Sequence, residues 1–284
     1  MADLQLSQIY IYPVKSLRGL SLSETKLTNR GPEWDRRWML VTPDGQFLSQ
    51  RELGVMARLQ PTINGHQIRV TDLRGGREDL QFPVQPPAKS HRQKVTVWQD
   101  ECEALRVSPE ADRWFSEALG TPCHLVYMPD DSYRPLDPRY AKGDETVSFA
   151  DGYPYLILGE ASMQDLNNRL SEPIDVLRFR PNLVFSGGTP FVEDNWKNFS
   201  IGSALFRGTK PCARCQIPTI DLHTGQASRE PTRTLATFRR QDRKILFGLN
   251  ACWELDQPEH ESMIRIGDPI KLHETPTDPP LNGV

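Results

Sequence analysis

KPCARCQIPTID, running from Lys210 to Asp221, holds two of the chain's five cysteines, and what its backbone allows decides which folds a paired cysteine can belong to here. Pro211 precludes a helix entering from upstream, and Gln216 to Ile220 is a β-branched run broken by Pro218. A thioredoxin-type redox pair opens a helix inside a βαβ unit, which this segment does not offer. A structural zinc site needs four ligands, and Cys102, Cys123, Cys252 and six scattered histidines supply no second C-x-x-C or H-x-x-x-H. Besides two ordinary semi-buried thiols, two readings remain. One thiolate holds a soft metal centre, or it carries a labile sulfur, with Arg214 beside it as a fixed positive charge. Spacing does not separate these.

Working outward, 284 residues allow two modules or one enlarged β-rich one. A hydrophobic fraction of 37%, 25% charged residues and a mean hydropathy of -0.55 describe a soluble globular chain. No window approaches the roughly 18 apolar residues of a membrane helix, so no membrane partner is expected. A formal charge of -3 gives no global attraction to nucleic acid, and any anion site must be local. The first residues, MADLQLSQIYIYPVKS, carry Asp3 and alternate as a strand does, which indicates neither a signal nor a transit peptide. An odd, thinly spread cysteine set fits a reducing compartment, so a cytoplasmic protein is expected. With 24 prolines and few long helical periodicities, short strands joined by irregular turns are expected.

Leu6 to Tyr12 reads as a strand stopped by Pro13, leaving Val14, Lys15 and Ser16 in a turn that offers an ammonium and a hydroxyl together. Arg36 and Arg37 stand at the mouth of an apolar strand ending at the Pro43-Asp44-Gly45 turn, with Phe47 to Arg51 as its partner strand. Ile63 to Val70, Leu80 to Val84 and Val95 to Trp98 read as further strands, and Gln85 to Ser90 as a loop near a module boundary. Ser108-Pro109-Glu110 caps a helix that buries Trp114, Phe115, Ala118 and Leu119 and ends at Gly120. Asp151 to Pro154 is a turn before an apolar strand, Tyr155 to Leu158, and a helix marked by Met163, Leu166 and Leu170. If Val176 to Phe185 is extended, Arg178, Arg180 and Asn182 align as donors on one face. The Ile201-Gly202 and Ile266-Gly267 turns favour a β-barrel over layered βαβ units.

Taken in order, PVKS (13–16), WDRRW (34–38), FADGYP (149–154), FRPN (179–182), KPCARC (210–215) and IRIGDPI (264–270) resemble the MOSC-domain molybdoproteins over nearly the whole chain. The match is to the bacterial YcbX-type and mitochondrial amidoxime-reducing-component branch. The resemblance implies an α+β, mostly β protein: an N-terminal β-barrel-like module over residues 1–115 packed on a MOSC β-barrel over 116–284, with a few flanking helices. It further implies the molybdenum cofactor, a pyranopterin dithiolene. Cys215, second in C-x-R-C, would be the metal ligand and catalytic residue, with Cys212 a neighbour. Lys15, Ser16 and Arg36 would hold the cofactor from the first module, Arg180 and Asn182 from the second, and Asp151, Gly152 and Tyr153 would approach the metal and pterin. The activity implied is reduction of N-hydroxylated compounds. The ferredoxin domain that often follows in YcbX-type proteins has no counterpart after Ile270, so electrons are expected from a separate flavin or iron–sulfur protein. The alternative within the family is a sulfur-carrier or cofactor-delivery protein with a persulfide on Cys215.

Overall fold

The computed structural model describes residues 3–85, 90–254 and 262–273. In β1 (Gln5–Ile11) Leu6, Ile9 and Ile11 are buried, and a bulge between Leu6 and Gln8 adjusts the register. β2 (Leu20–Leu22), β3 (Glu24–Thr28) and β4 (Gly31–Pro32) are short, and every residue of β5 (Trp38–Val41) is buried. β6 (Leu59–Asn64) and β7 (Gln67–Asp72) form a hairpin, and β8 (Leu80–Pro83) pairs with β7. β9 (Arg92–Val97) and β10 (Asp100–Arg106) are a second hairpin, joined by Trp98 and Gln99.

α1 (Pro109–Leu119) follows, capped by the Ser108 hydroxyl accepting from the Ala111 N–H and closed by Gly120 at φ 67°. The point between residues 115 and 116 falls inside it. β11 (His124–Tyr127) lies between β5 and β10 in a four-stranded sheet, β5-β11-β10-β9. That sheet, α1 and the β6-β7-β8 sheet enclose one core around Trp38, Phe82, Phe115 and Leu125, an N-terminal half-barrel.

The second half begins with β12 (Tyr155–Gly159), α2 (Glu160–Asn167) and β13 (Leu183–Ser186), and the two strands pair in parallel, so one βαβ unit is present. β14 (Asn198–Ile201), β15 (Ala204–Ala213), α3 (Thr232–Phe238), β16 (Arg240–Gln241), β17 (Lys244–Trp253), β18 (Met263–Arg265) and β19 (Ile270–His273) complete it. The large mixed sheet runs β19-β14-β15-β17-β12-β13-β1-β2, with β16 on β17, while β18 pairs with β3. The opening strands of the chain therefore belong to the sheets of its second half. No helix among the described residues is long and apolar enough to cross a membrane.

Several expected elements differ. Ile63 to Val70 is not one strand: Gly65 and His66 make a two-residue turn between the paired Asn64 and Gln67, with Gly65 at φ 58°, and the Asn64-Gly65 hairpin signal is one the apolar pattern overran. Phe47 to Arg51 is not a partner strand, because Phe47 makes only an isolated bridge to Val41 and Ser49 to Glu52 turns back on itself. Val176 to Phe179 is a 3₁₀ turn and Arg180 is left-handed at φ 58°, so Arg178, Arg180 and Asn182 do not share a strand face. Arg178 instead donates to the carbonyls of Pro218 and Glu230. The Ile266-Gly267 turn joins strands that pair with different partners. Within the expected loop Gln85 to Ser90, residues 86–89 lie outside the described residues, as does the tail from residue 274.

The two halves approach closely where Gly54 meets Gly225: a Cβ on Gly54 would stand 2.0 Å from the Gly225 carbonyl oxygen. Gly54→Ala must therefore push these backbones apart, and it is expected to destabilise by about 1–3 kcal/mol. A urea unfolding midpoint unchanged from wild type would contradict this close approach.

Candidate functional site

The turn after β1 is pinned to β5 by the Lys15 N–H donating to the Trp38 carbonyl at 2.7 Å. That pairing puts Ser16 at φ 66°, just as the loop before β5 puts Arg36 at φ 49° and the end of the 3₁₀ turn puts Arg180 at φ 58°. Left-handed backbone at serine and arginine carries strain that the surrounding structure must impose. All three residues face one cleft of about 150 Å³ between the halves.

Every expected site residue lines that cleft: Lys15, Ser16, Arg36, Asp151, Gly152, Tyr153, Arg180, Asn182 and Cys215. Tyr12 supports two of the cations from below. Its buried ring lies under the Arg36 guanidinium at 4.3 Å and the Arg180 guanidinium at 4.1 Å, a cation–π contact with each. Arg36 also donates to Asp35 at 2.6 Å and to the Asn182 side-chain oxygen at 3.2 Å, while Asn182 donates to the Tyr10 carbonyl. Asn182 also accepts from the Leu156 N–H, and so ties Arg36 to β1 and β12. Arg180 donates to the Leu17 carbonyl at 2.7 Å, but its buried Nη2 has no hydrogen-bond partner among the described residues. Burial, with Arg36 beside it, lowers the Arg180 guanidinium to about 10, so it is charged at neutral pH.

Lys15 is buried, and its Nζ donates to the Phe149 carbonyl at 2.7 Å and to Asp151 at 2.5 Å. Desolvation lowers the ammonium to about 8 although Asp151 pulls the other way. Burial would raise Asp151, but the Lys15 and Arg51 charges outweigh it and hold the carboxyl well below the usual range. Lys15 is cationic below about 8 and neutral above. Sulfate affinity, measured by calorimetry because sulfate keeps its charge in this range, is therefore expected to fall several-fold as pH rises through that value. Lys15→Gln should flatten the profile; an identical pH dependence in that variant would remove Lys15 from the anion site.

Cys215 is exposed at the end of the segment following β15. Its sulfur accepts from the Arg51 guanidinium at 3.2 Å, and Arg51 also lies 3.4 Å from Asp151 and over the Trp98 ring at 4.4 Å. Cys212 is partly buried and accepts from Arg214 at 3.1 Å, and Arg214 fixes the loop by donating to the Phe179 carbonyl. The two thiols thus have separate cationic partners. No group of three or more His, Cys, Asp or Glu among the described residues is placed to hold a metal ion. A soft metal bound at Cys215 would take its other ligands from a cofactor.

Arg51 and Trp98 are site residues that the sequence alone does not single out. Arg51 offered one signal, an arginine at a strand exit like Arg36. Trp98 stands in a two-residue hairpin loop where glycine or asparagine is usual, which is a signal of another kind.

The family model described as MOSC N-terminal beta barrel domain matches residues 3–122, and that described as MOSC domain matches 144–271. The chain is 35% identical over 269 residues to molybdenum cofactor sulfurase of Oryza sativa subsp. japonica, covering 88% of this chain but only 32% of that protein. It spans about a third of that relative's length. It is 31% identical over 280 residues to mitochondrial amidoxime-reducing component 1 of Mus musculus, covering 94% of this chain and 82% of that one. The corresponding Homo sapiens protein is 30% identical with the same coverage.

Proposed function

Because the chain belongs to the MOSC family, carrying its N-terminal barrel and its MOSC domain, we propose that it is a molybdenum-cofactor-dependent reductase of N-hydroxylated compounds. Its substrates would be hydroxylamines, amidoximes and N-hydroxylated bases, with electrons drawn from a separate flavin or iron–sulfur protein. One observation carries the reading: the exposed Cys215 sulfur stands on the wall of a cleft into which Lys15, Arg36, Arg180 and Arg214 converge.

The residues fit the cofactor. Cys215 offers a single soft donor for molybdenum, and Lys15, Ser16, Arg36 and Arg180 offer the donors a pterin phosphate requires. The buried, unpartnered Nη2 of Arg180 is a donor that such an anion would satisfy. When bound, the cofactor supplies two-electron removal of oxygen from an N–OH group. In balance, the N–O bond breaks, two electrons and two protons enter, and an amine and water leave. The chain's own role is to hold the anionic cofactor, to keep the sulfur beside a cation through Arg51, and to leave a mouth open to substrate.

The test is expression in cells that make the cofactor, followed by molybdenum and pterin analysis and assay of hydroxylamine or amidoxime reduction with an artificial donor. Metal-free, pterin-free protein from such cells would end this reading. A second reading, a sulfur-carrier or cofactor-delivery protein, is favoured by the accessibility of the Cys215 thiol and by the sulfurase relative. A persulfide on Cys215 by mass spectrometry, without bound molybdenum, would establish it.

A further inference from the structure

Trp98 breaks a local rule for no gain within its own hairpin. It holds φ 60° in the loop between β9 and β10, and 44% of its surface is exposed, although an indole is normally drawn into a core. What fixes it lies at the edge of the cleft, whose wall includes Asp151. Its Nε1 donates to Asp151 at 3.3 Å, its ring carries the Arg51 guanidinium at 4.4 Å, and it meets the Phe47 ring edge-on at 4.7 Å. Through Arg51 and Asp151 the indole is one side chain removed from both Cys215 and Lys15.

Beside the indole is a shallow recess of about 370 Å³, lined by Trp98, Gln99, Asp100, Arg134 and Asp151. Asp151 belongs to both this recess and the cleft, so the two adjoin. The recess has a rigid floor. Arg134 is 2% exposed, donates to Asp100 at 2.8 Å and to the carbonyls of Ser148 and Ala150, and so locks the turn that carries Asp151. Asp100 is partly exposed and keeps an oxygen that Arg134 does not use.

The geometry points to this recess as a substrate-side subsite, in which a flat aryl group lies against Trp98 and a donor-bearing N-hydroxylated head approaches the acidic rim of Asp100 and Asp151 beside the Cys215 cleft. The inference rests on the reductase reading and names a specificity-determining residue for it: Trp98, which favours substrates with a planar aryl substituent over those with a small alkyl one. Aromatic contact supplies the preference and the carboxylates supply orientation.

The experiment compares benzamidoxime with acetamidoxime in cofactor-loaded wild type, Trp98→Phe and Trp98→Ala, using an artificial electron donor. The ratio of kcat/KM for the aryl over the alkyl substrate is expected to fall about tenfold in Trp98→Ala, mainly through KM for the aryl substrate, and to be largely kept in Trp98→Phe. Benzamidoxime should also quench the tryptophan fluorescence of wild type, and that quench should be lost in Trp98→Phe. Equal losses on both substrates would reduce Trp98 to a support for Arg51, and an unaltered ratio or quench would remove it from substrate contact; either overturns the subsite. Wild type inert toward both substrates would overturn the reductase reading and the subsite together.

Discussion

Cys215→Ser is expected to leave the protein folded but, on the proposed function, without molybdenum and with the proposed N-reductase activity down more than about 100-fold, beyond what loss of an outer partner of a metal ligand costs. The asymmetry comes from where the thiol sits. Cys215 is exposed and packs in no core, so the swap of sulfur for oxygen removes little from the fold, and such surface changes stay within roughly 0.5 kcal/mol. A serine hydroxyl is a hard donor and holds a soft metal centre poorly. Metal content and turnover should fall together while the thermal midpoint holds. Retained turnover at full metal content would mean that another group is the ligand; Cys212, partnered by Arg214 on the same cleft, is the first to test.

Asp35→Ala is expected to have the opposite signature, a large loss of stability. Asp35 is 1% exposed, accepts from the Tyr12 N–H at 2.8 Å and from Arg36 at 2.6 Å, and lies beneath the paired arginines. Burial raises its carboxyl, with Arg36 and the Tyr12 N–H opposing. Removing it strands an arginine charge in a desolvated place, which costs about 3–5 kcal/mol, and for a chain of this size that is a drop in Tm on the order of 10 °C. Arg36→Met in the same chain should restore some of the loss, since the stranded charge goes too. A single variant as stable as wild type would show that solvent reaches Arg36 freely.

Much of this site was legible because its components are turns, and turns announce themselves. Pro13, the aspartate-glycine of 151–152 and Pro211 each fix a chain direction through backbone chemistry that needs no tertiary contact. The capped helix at 109–119 was equally plain, its hydroxyl, proline and glycine all in place. What stayed hidden depends on distant pairing. The 176–185 segment alternates as a strand does, yet its polar residues are drawn to separate partners, Arg178 to the loop at 218 and 230 and Arg180 to the Tyr12 ring. Periodicity carries no information about such partners. Arg51 and Trp98 likewise mean little until the fold sets them beside Cys215 and Asp151.

The pairing of β1 with β13 and of β3 with β18 has a consequence for how the protein is made. On the ribosome β1 and β3 emerge well before their neighbours β13 and β18 are translated. Until then the nascent chain carries unmatched strand edges, which invite intermolecular association. Synthesis in the cell is therefore a race between translation and clumping, and a fragment cut between the two halves would inherit that hazard permanently, with each piece displaying the seam the other was meant to close.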